Sequence, residues 1–136
     1  MIFIIDDDRE MAECVALAIK NMNDDSVRIF SNAIAAIQAL DDGELPELIF
    51  LDILLDGPDG FTFLNELGSY SDTAKIPVVI ISSLDLKGCH LESYGVVKVL
   101  DKTTMTPKNI QAAISEFATA ATRTDFSPAT ATMEVS

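Results

Sequence analysis

Short runs rich in β-branched and aromatic residues recur along the chain, and each stops on a polar or acidic residue. Ile2–Ile5 ends at Asp6, Val27–Phe30 at Ser31, Leu48–Leu51 at Asp52, Val78–Ile81 at Ser82 and Val96–Leu100 at Asp101. Runs of this length and composition predict strands, and the most continuous of them predict strands buried on both faces. Between the runs the apolar spacing turns helical. From Arg9, residues Met11, Val15, Ala18, Ile19 and Met22 share one face, and Asn23-Asp24-Asp25 closes the segment. Ser31 or Asn32 can cap a helix from Ala33 to Leu40, which Gly43 and Pro46 end. Phe61–Leu67 predicts a short helix after the turn-rich stretch Asp56-Gly57-Pro58-Asp59-Gly60. Residues 85–94 fit a helix of only about two turns, weakened by Gly88. The last helix starts at Pro107 and presents Ile110, Ala113, Ile114, Phe117 and Ala121 on one side.

Strands alternating with helical segments predict an α/β fold with one parallel sheet covered on both faces. Right-handed crossovers and the length of 136 residues favour a doubly wound, flavodoxin-like (βα)5 arrangement with strand order 2-1-3-4-5 over a barrel. The domain is expected over residues 1–122. Residues 123–136 turn to Ala, Thr and Ser with Pro128 and read as a disordered tail or the start of a linker.

Composition narrows the partners. With 22 acidic against 9 basic side chains, the formal net charge of −13 argues against nucleic acid and anionic membrane surfaces, and favours a protein partner. Cys14 and Cys89 lack metal-ligand spacing and read as buried reduced thiols, in keeping with a cytoplasmic protein. Neither a signal peptide nor a membrane span is expected. His90, the single histidine, has no partner at metal or catalytic spacing and reads as a surface or partly buried helix position.

The predicted strand order sets the first and third strands side by side, so Asp6 and Asp7 meet Asp52 at one rim. A single acid at a strand end is ordinarily a solvated turn residue. Convergence from two adjacent strands is different, because carboxylates this close raise one another's pKa unless a cation neutralises them. Oxygen donors with room for water suit Mg2+ or Mn2+. The fourth and fifth strands end on Ser82 and Lys102, a hydroxyl and a cation able to hold phosphoryl oxygens while Asp52 acts as nucleophile.

Over residues 2 to about 120 the chain resembles the receiver domains of two-component response regulators. The resemblance rests on Ile4-Ile5-Asp6-Asp7-Asp8, the stretch from Leu51 to Gly60, Pro77 through Ser83, and Gly95 followed seven positions later by Lys102. It implies that Asp52 is the phosphoacceptor, Asp7 a direct metal ligand and Asp6 an acid holding the metal through water. The backbone carbonyl of Leu54 would be a further ligand, Asp8 an outer acid or helix cap, Ser82 the switch hydroxyl and Lys102 the phosphate-contacting lysine. A sensor histidine kinase or histidine phosphotransfer protein would be the donor, and an output protein the reader. The chain would phosphorylate and dephosphorylate itself without being a turnover enzyme.

Several positions depart from the family pattern. Thr103 replaces the proline usual after the lysine, and a cis bond before a non-proline residue costs about 2.5–4 kcal/mol, so a trans bond and a rearranged loop are expected. Val99 stands where the family has a switch aromatic, and Asp56 where it has a loop proline. Leu54 and Leu84 occupy positions where fast self-dephosphorylating members carry polar groups, so slow loss of phosphate is expected. Two other readings remain open at this point. One is a phosphorylation-independent interaction module. The other is a haloacid-dehalogenase-like phosphohydrolase, which would need an Asp where this chain has Leu54.

Overall fold

The computed structural model describes residues 1–22, 26–55, 59–84, 86 and 90–118. Its strands are β1 (Ile2–Ile5), β2 (Val27–Phe30), β3 (Leu48–Asp52), β4 (Val78–Ser82) and β5 (Val96–Asp101). All pair in parallel, in the order β2-β1-β3-β4-β5, so the expected doubly wound sheet is present. The helices are α1 (Arg9–Met22), α2 (Ala33–Asp41), α3 (Gly60–Gly68) and α4 (Pro107–Ala113), the last continuing as a π-helical turn, Ile114–Ala118. No helix of the described residues is long and apolar enough to cross a membrane.

The sheet divides the core into two layers because successive strand residues point to opposite faces. Phe3, Ile5, Ile49, Leu51, Val78 and Ile80 pack against α2 and α3. Ile2, Ile4, Leu48, Phe50, Val79 and Ile81 pack against α1 and α4. The apolar residues of β3 are essentially without solvent contact, and each adds about 1.5–3 kcal/mol of burial. That anchorage leaves Asp52 at the end of a rigid central strand.

Register does the rest. Ile5 pairs with Leu51, so the next residues, Asp6 and Asp52, come level. Ser82 pairs with Asp101, which brings Lys102 to the same rim, and the Lys102 N–H donates to the Ser82 carbonyl at 3.0 Å. The helices begin where capping residues occur. Asp8 accepts from the Met11 N–H, Asn32 from Ala35 and Asp59 from Thr62, while Thr106 and Asn109 form a capping box before Pro107.

Two expectations change. Between β4 and β5 the described residues hold a single 3-10 turn, Leu91–Tyr94, in place of a two-turn helix; positions 85 and 87–89, with Cys89, lie outside the described residues. The Cys14 thiol is exposed, because α1 turns Ala12, Val15, Ala16 and Ile19 to the sheet and leaves position 14 on the outer side. Half-buried Met11 and Met22 do lie against that layer. The expected stop at residues 23–25, the Asp56 substitution, Ala121 and the tail at 123–136 also fall outside the described residues.

Candidate functional site

At the carboxyl edge of the sheet, Asp6, Asp7 and Asp52 each offer an oxygen within 4.8 Å of the others. Asp6 and Asp52 are only 3% and 5% exposed, while Asp7 faces solvent. Backbone donors fix both buried acids: the Asp8 N–H donates to Asp6 Oδ1 at 2.9 Å and the Leu54 N–H to Asp52 Oδ1 at 3.0 Å. Lys102 Nζ lies 3.2 Å from Asp52 Oδ2 and 3.6 Å from Asp6 Oδ2. Asp6, Asp7, Asp52 and Lys102 are therefore drawn to one rim, and Ser82 ends β4 beside Lys102. The Ser82 Oγ is buried and accepts the Leu84 N–H at 3.0 Å, which leaves its own proton to give.

The cluster is electrostatically frustrated. Burial raises Asp6 from 3.8 to about 6, and the neighbouring Asp52 carboxylate adds to that, against the lowering effects of the Asp8 N–H and Lys102. For Lys102, burial works to lower the ammonium's pKa. The hydrogen bond to Asp52 and the charges of both acids outweigh burial, and the net direction is upward. Among the described residues one lysine, Lys102, faces the buried pair Asp6 and Asp52. A donor set of carboxylate oxygens, with one open to solvent, fits a hard divalent cation.

Two residues that position this rim are not evident as such from patterning. A Cβ on Gly60 would stand 2.6 Å from the Ile53 Cα and 3.1 Å from the Asp52 carbonyl oxygen, so the start of α3 is packed directly against the end of β3. The Gly60 N–H donates to the Ile53 carbonyl at 3.0 Å. Beyond Lys102, Asp101 Oδ1 accepts both the Thr103 N–H at 2.9 Å and the Thr103 hydroxyl at 2.7 Å. An acid two positions before a threonine is the signal that could have found this turn. No cis peptide occurs among the described residues, so the Lys102–Thr103 bond is trans as expected. Val99 is 42% exposed on β5, and His90 is exposed.

The family model for the response regulator receiver domain matches residues 2–115. The chain belongs to that family. Among curated relatives, response regulator PleD of Caulobacter vibrioides is 41% identical over 49 residues, covering 36% of this chain and 11% of PleD. Response regulator Rre1 of Synechocystis is 27% identical over 93 residues, 68% of this chain and 40% of Rre1. The matched stretches thus span less than half of either relative. Among solved structures, the receiver domain of a putative LuxO repressor protein from Vibrio parahaemolyticus superimposes with a TM-score of 0.81 at 17% identity, over 92% of this chain and 94% of that one. The receiver domain of sensor histidine kinase PA1611 from Pseudomonas aeruginosa, which holds a magnesium ion in its active-site cleft, gives 0.75 at 15% identity, over 87% and 96%. These likenesses show the receiver fold, and the acidic rim lies at its carboxyl edge.

Proposed function

We propose that this receiver domain is a phosphoacceptor switch in which Asp52 takes a phosphoryl group from a phosphohistidine. The observation that carries the reading is the convergence of Asp6, Asp7 and Asp52 with Lys102 Nζ 3.2 Å from the acceptor carboxylate. Mg2+ or Mn2+, held by Asp6, Asp7, Asp52 and the Leu54 carbonyl, would supply positive charge against the oxygens of the transferring group. The chain's own residues do the remainder. An Asp52 carboxylate oxygen attacks phosphorus, the new O–P bond forms as the N–P bond breaks, and the donor imidazole leaves. The Leu54 N–H and Lys102 orient the two Asp52 oxygens before attack. Lys102 and the Ser82 hydroxyl then face the phosphoryl oxygens, and their rearrangement alters the surface a partner reads.

The donor in this reading is a sensor histidine kinase or a histidine phosphotransfer protein, whose phosphoimidazole gives up the phosphoryl group and leaves as the imidazole. A cytoplasmic setting goes with the reading, since the exposed free thiol of Cys14 persists in a reducing compartment. The phosphohydrolase alternative lacks its acid/base, because position 54 carries an exposed leucine.

Incubation with acetyl phosphate and Mg2+, followed by intact mass, tests the proposal. Wild type is expected to gain one phosphoryl group and Asp52→Ala none. An unmodified wild type would overturn it and leave the interaction-module reading.

A further inference from the structure

The loop that delivers Lys102 is built differently from a proline-held one, and its fixed point is a residue outside the acidic rim. Asp101 ends β5 and collects four hydrogen bonds: the Thr103 N–H and hydroxyl on Oδ1, at 2.9 and 2.7 Å, and the Thr104 and Met105 N–H groups on its carbonyl, at 3.1 and 2.9 Å. On the other side, the Lys102 N–H is tied to the Ser82 carbonyl at 3.0 Å. The lysine backbone is therefore clamped from both directions while its stem runs inward to Asp52 and Asp6. A proline at 103 would fix its own φ but has no N–H to give, so it could not make this clamp. The threonine supplies two donors instead.

We propose that Asp101 is a positioning residue for phosphoryl transfer, holding Lys102 in register with Asp52 through its double hydrogen bond to Thr103. This rests on the phosphoacceptor reading of Asp52. The Asp101 carboxylate is exposed, so its removal leaves no buried charge and the fold has no reason to fail. The hydrogen bonds to Thr103 also hold its pKa below the usual carboxylate value. What the clamp contributes is orientation, and small misplacements of a charged group at a reacting centre cost rate steeply.

The test compares wild type, Asp101→Ala, Asp101→Asn and Asp52→Ala. It follows the rate of phosphorylation by acetyl phosphate with Mg2+, and amide hydrogen exchange at Thr103. Asn keeps an acceptor oxygen at the same place and loses the charge. Asp101→Ala is expected to slow phosphorylation roughly tenfold and to expose the Thr103 amide to exchange, while Asp101→Asn stays within about threefold of wild type with the amide protected. An alanine variant as fast as wild type overturns the proposal. So does an asparagine variant as slow as alanine, which would assign the effect to charge. A wild type that takes no phosphate fails the acceptor reading itself, and the Thr103 exchange data then still decide whether the clamp exists.

Discussion

Leu54 and Leu84 follow Asp52 and Ser82 by two residues, and each holds that side chain through its backbone N–H while its own side chain stays exposed, 54% and 46% respectively. Their N–H groups fix Asp52 and Ser82, but their side chains offer no lone pair to orient a water molecule toward phosphorus. A phosphoryl group on Asp52 is therefore expected to be lost slowly. Replacing the pair with polar groups, Leu54→Asn with Leu84→Glu, is expected to speed decay roughly tenfold or more. Following loss of phosphate by intact mass after donor removal checks it, and equal lifetimes would sink the idea. Both positions were legible in the sequence through the resemblance to receiver domains, counted two residues on from Asp52 and Ser82. Cys14 was not, since patterning marks the inward stripe of a helix more sharply than it excludes a small polarizable residue from it.

At the level of elements, the strands and helix starts could be read because each carries its own local cause: an apolar run, a capping side chain or a proline at the first turn. The β4–β5 connection resisted because a 3-10 turn such as Leu91–Tyr94, the element its described residues hold, has too little periodicity to register. Contacts between elements were also hidden. Gly60 reads as one more turn glycine, yet its place is set by the passage of Ile53 and the Asp52 carbonyl against it. A methyl group there has backbone to displace, not a flexible side-chain tip alone. Gly60→Ala is thus expected to cost about 1–3 kcal/mol, seen as a lower urea midpoint. It should also slow phosphorylation, because the shift propagates to the end of β3. Gly68, where an added Cβ meets nothing within 4 Å, is the control: Gly68→Ala should leave both properties unchanged or slightly improved.

For the molecule as a whole, the acidic rim makes stability a function of protons and cations together. Asp6 titrates near 6 in the folded chain, raised first by burial, against an ordinary value of 3.8. Between those values the folded state holds more protons than the unfolded one, so stability falls as pH rises. The contribution is complete below about pH 3.8, declines through the interval and is gone above about pH 6, with a size on the order of 1–3 kcal/mol. A divalent cation bound beside ionised Asp6 reverses the balance, adding roughly 2.7 kcal/mol at a hundredfold excess over its dissociation constant. Urea midpoints between pH 5 and pH 7.5 should therefore fall with rising pH in metal-free wild type, and recover most at the upper end when Mg2+ is added. Net charge alone would also make an acidic chain less stable at higher pH, but that effect survives in Asp6→Asn and yields to monovalent salt. The site-specific part is the difference between the two proteins. If wild type and Asp6→Asn showed the same slope, and Mg2+ acted no more strongly than KCl of equal ionic strength, the rim would be an ordinary acidic surface and not a built cation site.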